Sequence, residues 1–168
     1  MPTSPDPARD PALVPAADAE VLSGEPGAIR LLLDSSHTHG ALSTQRVTLR
    51  QGADGAAPHH HKRSTELFFA LAGQAQLLAG ETIVTLAEGD TIAIPPHLTH
   101  AFAAAPGHDA DLLIVIAPGV ERFDYFRQLA RIMTGDLPPD SLLAEQQRYD
   151  TYFEQSAVWA SRSAPAAA

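Results

Sequence analysis

PHHHKRSTELFFALAG, running from Pro58 to Gly73, places three adjacent histidines, a polar break and an apolar run in one short stretch. His59 and His61 are two apart, so on an extended strand their side chains leave the same face, and His60 leaves the other. Glu66 follows the break Lys62-Arg63-Ser64. A second stretch, EGDTIAIPPHLTHAF from Glu88 to Phe102, brings His100 in just beyond a Pro-Pro turn. Three imidazoles and one carboxylate form a ligand set suited to a single divalent transition metal: iron, manganese, nickel, cobalt or zinc.

Outward from these segments the chain reads as many short strands: Ala28–Leu33, Ala41–Arg50, Glu66–Leu71, Gln74–Ala79, Thr82–Leu86, Thr91–Ile94, Thr99–Ala104 and Asp111–Ala117. Gly, Pro and Asp punctuate them at short intervals, which is the pattern of an all-β domain. Antiparallel strands in this number must close or stack to hide their edges, so a jelly roll or barrel is expected. Residues 1–20 are rich in Pro, Ala and Asp without periodicity and read as a disordered or loosely docked tail. The barrel is expected over 21–118 and a helical extension over 119–160. In that extension Phe123, Phe126, Leu129 or Ala130, and Met133 recur at helical spacing, as do Leu142, Gln146, Tyr149 and Phe153. Gly135 stops the first helix and Pro138-Pro139-Asp140 starts the second. Both are expected to pack outside the barrel, with their aromatic stripes as core and Trp159 as a packing anchor or a residue ordered on dimerisation.

Written as spacings, the two stretches are His-x-His-x4-Glu-x6-Gly (His59, His61, Glu66, Gly73) and Gly-x5-Pro-x4-His (Gly89, Pro95, His100). This resembles the two motifs of the cupin superfamily, over roughly Gly40 to Pro118. The resemblance implies a double-stranded β-helix, or jelly-roll barrel, with one metal held inside by His59, His61, Glu66 and His100. The chain departs from the motifs at Ala53, His97 and Ala104, where Gly, Gly and Asn are usual, and none of the three is a proposed ligand. His97 falls in a turn, where His tolerates a positive φ. Four residues at fixed offsets argue against a chance meeting of surface residues. A degenerate barrel that keeps them and binds metal weakly stays as an alternative.

Composition narrows the chemistry. The chain has 168 residues, enough for one hydrophobic core, and no Cys, so neither a disulfide nor a thiolate ligand is available. Net charge is −9 and Lys62 is the one lysine, so the clustered basic residues of a nucleic-acid face are missing. No apolar run approaches the length of a membrane span. The N-terminus lacks a basic region followed by an apolar run, and a cytoplasmic location is expected. The Ala, Pro and Arg bias suggests a GC-rich bacterial genome.

Other residues receive roles by parity. Phe68 and Ala70 share the face of Glu66, and Phe102 that of His100, so all three should line a pocket, with Ile94 as a further candidate. On the strand around Val47 one parity must face the cavity. Arg46 or Gln45 is then a candidate substrate contact, against a solvated Arg46. His60 is expected to face outward, and His97 is a turn residue, with a fifth ligand or a proton shuttle as the alternatives. His37, His39 and His108 read as loop residues. Glu66, the one acid among the ligands, is the candidate catalytic base.

Within cupins, the chain resembles small single-domain bacterial members of quercetin-dioxygenase-like type. The ligand set carries this, with the short segment between motifs and the run Ala117-Pro118-Gly119-Val120-Glu121-Arg122-Phe123 leading into an aromatic helix. It implies a metal-dependent dioxygenase that cleaves a small hydroxy-ketone or polyphenol with dioxygen. The alternatives are a non-redox cyclase, isomerase or decarboxylase of secondary metabolism, and a non-enzymatic small-molecule-binding cupin. Glu66–Leu71 and Leu112–Ile116 are apolar on both faces, so the outer face needs cover from the helices or from a partner, and a homodimer is expected.

Overall fold

The computed structural model describes residues 10–24 and 26–162. Residues 1–9, nearly half of the expected tail, fall outside them. The described part of that segment docks on the sheet: Ala19 is buried, Arg30 donates to the carbonyl of Ala16, and Glu20 pairs with Arg127.

Ten strands follow: β1 (Val21–Gly24), β2 (Gly27–Leu33), β3 (Ser43–Leu49), β4 (Asp54–His60), β5 (Thr65–Ala79), β6 (Thr82–Ala87), β7 (Thr91–Ile94), β8 (His100–Ala104), β9 (Ala110–Ala117) and, late in the chain, β10 (Tyr152–Phe153). They pair antiparallel in the order β1-β2-β3-β9-β5-β8-β4-β10, with β6 and β7 on β5. The sheet curls into a half-barrel around Val47, Phe68, Ala70, Leu77, Ile94, Phe102, Leu112 and Ile114.

The expected strands Glu66–Leu71 and Gln74–Ala79 are a single strand. The first half of β5 pairs with β7 and β9, the second with β6 and β8, so it passes from one wall to the other. The bend lies at a register shift between Ala70 and Ala72 and at Gly73, whose φ is +72°. A Cβ there would lie 2.0 Å from the Asp109 carbonyl oxygen, so only glycine fits. The glycine that reads as a strand terminator is therefore a corner within one strand.

After β9, α1 (Phe123–Met133) takes the expected span. Its aromatic face joins Tyr125 and Phe126 to Leu31, Leu142 and Tyr149 in a second cluster over β1 and β2, while Met133 stays exposed. The second helix differs from expectation. Pro139–Glu145 is a 3-10 turn, α2 covers only Gln146–Tyr149, and Phe153 belongs to β10. Asp150 ends α2 in the left-handed region (φ 49°), which turns the chain back to pair with β4. α3 (Ala157–Ser161) seats Trp159 on Leu78, Ala101 and Ala103, a packing anchor within the protomer.

Candidate metal centre

His59 lies near the end of β4, with His61 just beyond it; Glu66 is the second residue of β5, and His100 opens β8. The sheet brings them together: His59 is the register partner of His100, and Glu66 lies between Ile94 of β7 and Ile116 of β9. All four are buried, between 1% and 4% exposed. Their donor atoms lie within 4.8 Å of one another, so the group could hold a metal ion.

The imidazoles are held from behind. Nδ1 of His59 is 2.8 Å from the Ala57 carbonyl oxygen, that of His100 is 2.9 Å from Leu98 O, and that of His61 is 2.5 Å from Asp150 O. A carbonyl only accepts, so each Nδ1 carries the proton and a neutral ring presents its Nε2 lone pair to the centre. The three Nε2 atoms face one oxygen, Glu66 Oε2, at 2.7 Å (His100), 3.2 Å (His61) and 3.9 Å (His59). Lone pairs facing a carboxylate repel unless a cation stands between them, and a proton or a metal ion meets that need. Backbone support of the distal ring nitrogen is the arrangement that orients metal-binding histidines. The residues present therefore fit a divalent transition metal.

Electrostatics agree. Burial, reinforced by His100 and His61, holds the His59 imidazole well below its ordinary pKa, which keeps it a neutral donor. Burial alone would push the Glu66 carboxyl up, but where Nε2 of His100 and His61 carries a proton in place of a metal, their hydrogen bonds outweigh it and hold the group well below the carboxylate range.

Phe68, Ala70, Ile94 and Phe102 are all buried and belong to one apolar cluster. The Phe68 ring is 6.2 Å from that of His100 and 5.4 Å from that of Phe102. Arg46 is a correction. It is exposed and forks onto Asp111, and the residue of β3 that turns inward is Gln45, 3% exposed. Alternation along the strand leaves room for only one of them inside. His60 faces outward, 2.6 Å from Glu154 and stacked on Tyr152. His97 is an exposed turn residue with φ 68°.

Two groups escaped the sequence reading. Asp150 supports His61 through its carbonyl, and its carboxylate accepts from the backbone N–H groups of Lys62, Arg63 and Ser64 at 3.0–3.3 Å. It therefore fixes the loop between the second histidine and Glu66. Arg122, 4% exposed, precedes α1. Neither carries a local pattern, because each acts on residues more than eighty positions away or through a tertiary cluster.

The sequence family described as Cupin domain matches residues 45–116, which span β3 to nearly the end of β9 and include all four candidate ligands. The barrel is a cupin domain. Solved structures agree on the fold of this cupin. A RmlC-like cupin from Shewanella frigidimarina superposes with a TM-score of 0.54 at 19% identity, over 67% of this chain and 93% of that one. Streptomyces Pac13, a nucleoside dehydratase, gives 0.52 at 14% identity, over 66% and 84%. The polyketide cyclase RemF from Streptomyces resistomycificus gives 0.52 at 20% identity, over 63% and 78%. No curated protein matches the chain in sequence. Among the described residues of the cupin, no helix is long and apolar enough to cross a membrane.

Proposed function

We propose that this cupin is a metal-dependent enzyme acting on a small, partly aromatic hydroxy-ketone or polyphenol, and that the reaction is a dioxygenase cleavage. The observation that carries the reading is the convergence of three Nε2 lone pairs on Glu66 Oε2, buried beside the apolar core of the half-barrel. His59, His61, Glu66 and His100 would hold one ion. When bound, the ion supplies Lewis-acid polarisation of a substrate oxygen and, if redox-active, electron transfer to dioxygen. Glu66 takes the hydroxyl proton, the one basic group in the set that is not tied to a backbone carbonyl. Phe68 and Phe102 pack on the substrate ring and exclude water, with Ala70 and Ile94 completing the wall. The protein works as a homodimer through the outer face of β5 and β9.

A second reading is a non-redox reaction: cyclisation, dehydration, isomerisation or decarboxylation. It is favoured by the fold neighbours Pac13, a nucleoside dehydratase, and RemF, a polyketide cyclase. The same base would remove a proton without dioxygen. Elemental analysis of the purified protein, combined with oxygen-uptake assays over flavonols, catechols and diketones, separates the two. A redox-active metal with oxygen consumption on one of these substrates is expected. Turnover with a redox-inert metal and no oxygen uptake establishes the second reading instead.

A further inference from the structure

Among the described residues, three buried side-chain polar atoms lack a hydrogen-bond partner: Ser43 Oγ, and Nε and Nη1 of Arg122. A hydroxyl is a small loss. A guanidinium is not, because a buried cation with unpaired N–H groups has given up its water without a replacement. The Arg122 Cζ lies 4.9 Å from the Tyr125 ring centroid and 5.3 Å from that of Phe126. Ring faces attract the cation but accept none of its in-plane hydrogen bonds.

The nearby buried carboxylates are committed elsewhere. Asp34 accepts from the backbone N–H groups of Ser35, Arg122 and Phe123, so it fixes where Arg122 sits without pairing its guanidinium. Asp150 is taken by the backbone of 62–64, and Glu66 faces the histidines. The fold thus positions a cation and leaves two of its donors free. Tyr125 ties the location to the metal centre. Its ring lies 5.5 Å from that of Tyr149, and the next residue, Asp150, accepts the Nδ1 proton of His61 through its carbonyl.

We propose that Arg122 is an anion anchor, binding a carboxylate on the small molecule whose other end reaches the metal centre. This rests on the reading that the chamber takes a small-molecule substrate, and it adds that the substrate is anionic. A planar guanidinium packed beside two aromatic rings suits an aromatic or conjugated carboxylate, which stacks and accepts hydrogen bonds together.

The test is calorimetric titration of the full chain, as purified, with benzoate and with benzamide, its neutral counterpart. Benzoate should bind at least about tenfold more tightly than benzamide, the scale of a charge-assisted hydrogen bond. Arg122→Met should lose about tenfold or more of the benzoate affinity, whereas His100→Ala, stripped of metal, should keep it. Benzoate binding that survives Arg122→Met and vanishes in His100→Ala assigns the anion to the metal and overturns the anchor. So does equal binding of benzoate and benzamide by the wild type, or no benzoate binding at all, the result expected if Arg122 merely holds internal water. The wild-type comparison stands even if Arg122→Met does not fold. Because no turnover is measured, failure of the dioxygenase reading leaves this result intact.

Discussion

His61 donates its Nδ1 proton to the carbonyl oxygen of Asp150, 2.5 Å away and 89 residues further along the chain. The residue that orients a candidate ligand of the first motif therefore comes from beyond the matched family region, on the turn between α2 and β10. The C-terminal extension of this cupin is part of the wall of its candidate metal centre.

Asp150→Ala should weaken both the fold and the site. It leaves three backbone N–H groups without their acceptor, two of them on exposed residues that water can rescue, so a loss of about 2–4 kcal/mol is expected. Metal affinity should fall about tenfold to a hundredfold, the usual effect of removing an outer support. Urea unfolding and metal titration measure the two. Unchanged affinity in a folded Asp150→Ala protein would show that the loop 62–64 holds its geometry unaided.

One metal per chain is expected, at bonds of about 2.0–2.2 Å to the histidines. His61→Ala or His100→Ala should strip it, and His60→Ala should not, since that ring faces Glu154 and Tyr152. Wild-type occupancy in either ligand variant, read by elemental analysis, contradicts the assignment.

Glu66 should matter twice, as ligand and as base. Glu66→Gln keeps the size and an acceptor oxygen but loses basicity. Once loaded with excess metal, the variant should remain slower by roughly 10²-fold or more, the scale of general-base catalysis. Recovery to wild-type turnover under loading would leave Glu66 as a ligand alone.

Removing the metal should expose a pH dependence of stability with a definite sign. Burial, helped by His100 and His61, holds His59 well below its ordinary 6.5, so the unfolded chain takes up a proton there that the folded one refuses. For Glu66, burial pushes the carboxyl up but hydrogen bonds from His100 and His61 win, so its folded value lies well below 4.5. Its stabilisation is present above 4.5 and is lost as pH falls through the folded value. In both cases the unfolded state binds more protons, so the metal-stripped protein gains stability as pH rises towards 6.5 and levels off above it. Urea midpoints that stay flat or fall over that range contradict this electrostatic picture.

Leu67, Phe69, Leu113 and Val115 alternate with the core residues of β5 and β9 and are only half-buried, with Phe69 directly opposite Leu113. The described helical cluster packs over β1 and β2 instead, and α3 over β6. Light scattering should give a dimer, and Phe69→Glu a monomer with unchanged circular dichroism. A monomeric wild type at micromolar concentration removes the interface.

The four candidate ligands were legible because they depend on local rules. Same-face spacing placed His59 with His61, and motif offsets added Glu66 and His100. The same alternation placed Phe68, Ala70 and Phe102 on the buried face. It failed to choose between Arg46 and Gln45, since parity gives two faces and only the neighbouring strands say which is in. Gly73 misled because a glycine at positive φ ends strands more often than it bends one. Leu142 to Phe153 misled because apolar residues at helical spacing also suit a 3-10 turn followed by a strand. Asp150 and Arg122 were illegible, their roles being defined entirely by tertiary contacts.

β5 runs unbroken through both walls of the barrel, with Glu66 near its start and Leu77 near its end. Loosening the wall at Glu66 disturbs a ladder shared with β6, β7, β8 and β9, so amide protons on this strand should be among the last to exchange with solvent. A chamber hinged on so slow an element cannot breathe through its walls. Ligand traffic to the candidate centre is then expected beside the shorter pieces that pack on it, the turn of Asp150 against His61 and the segment before α1 against Ser64.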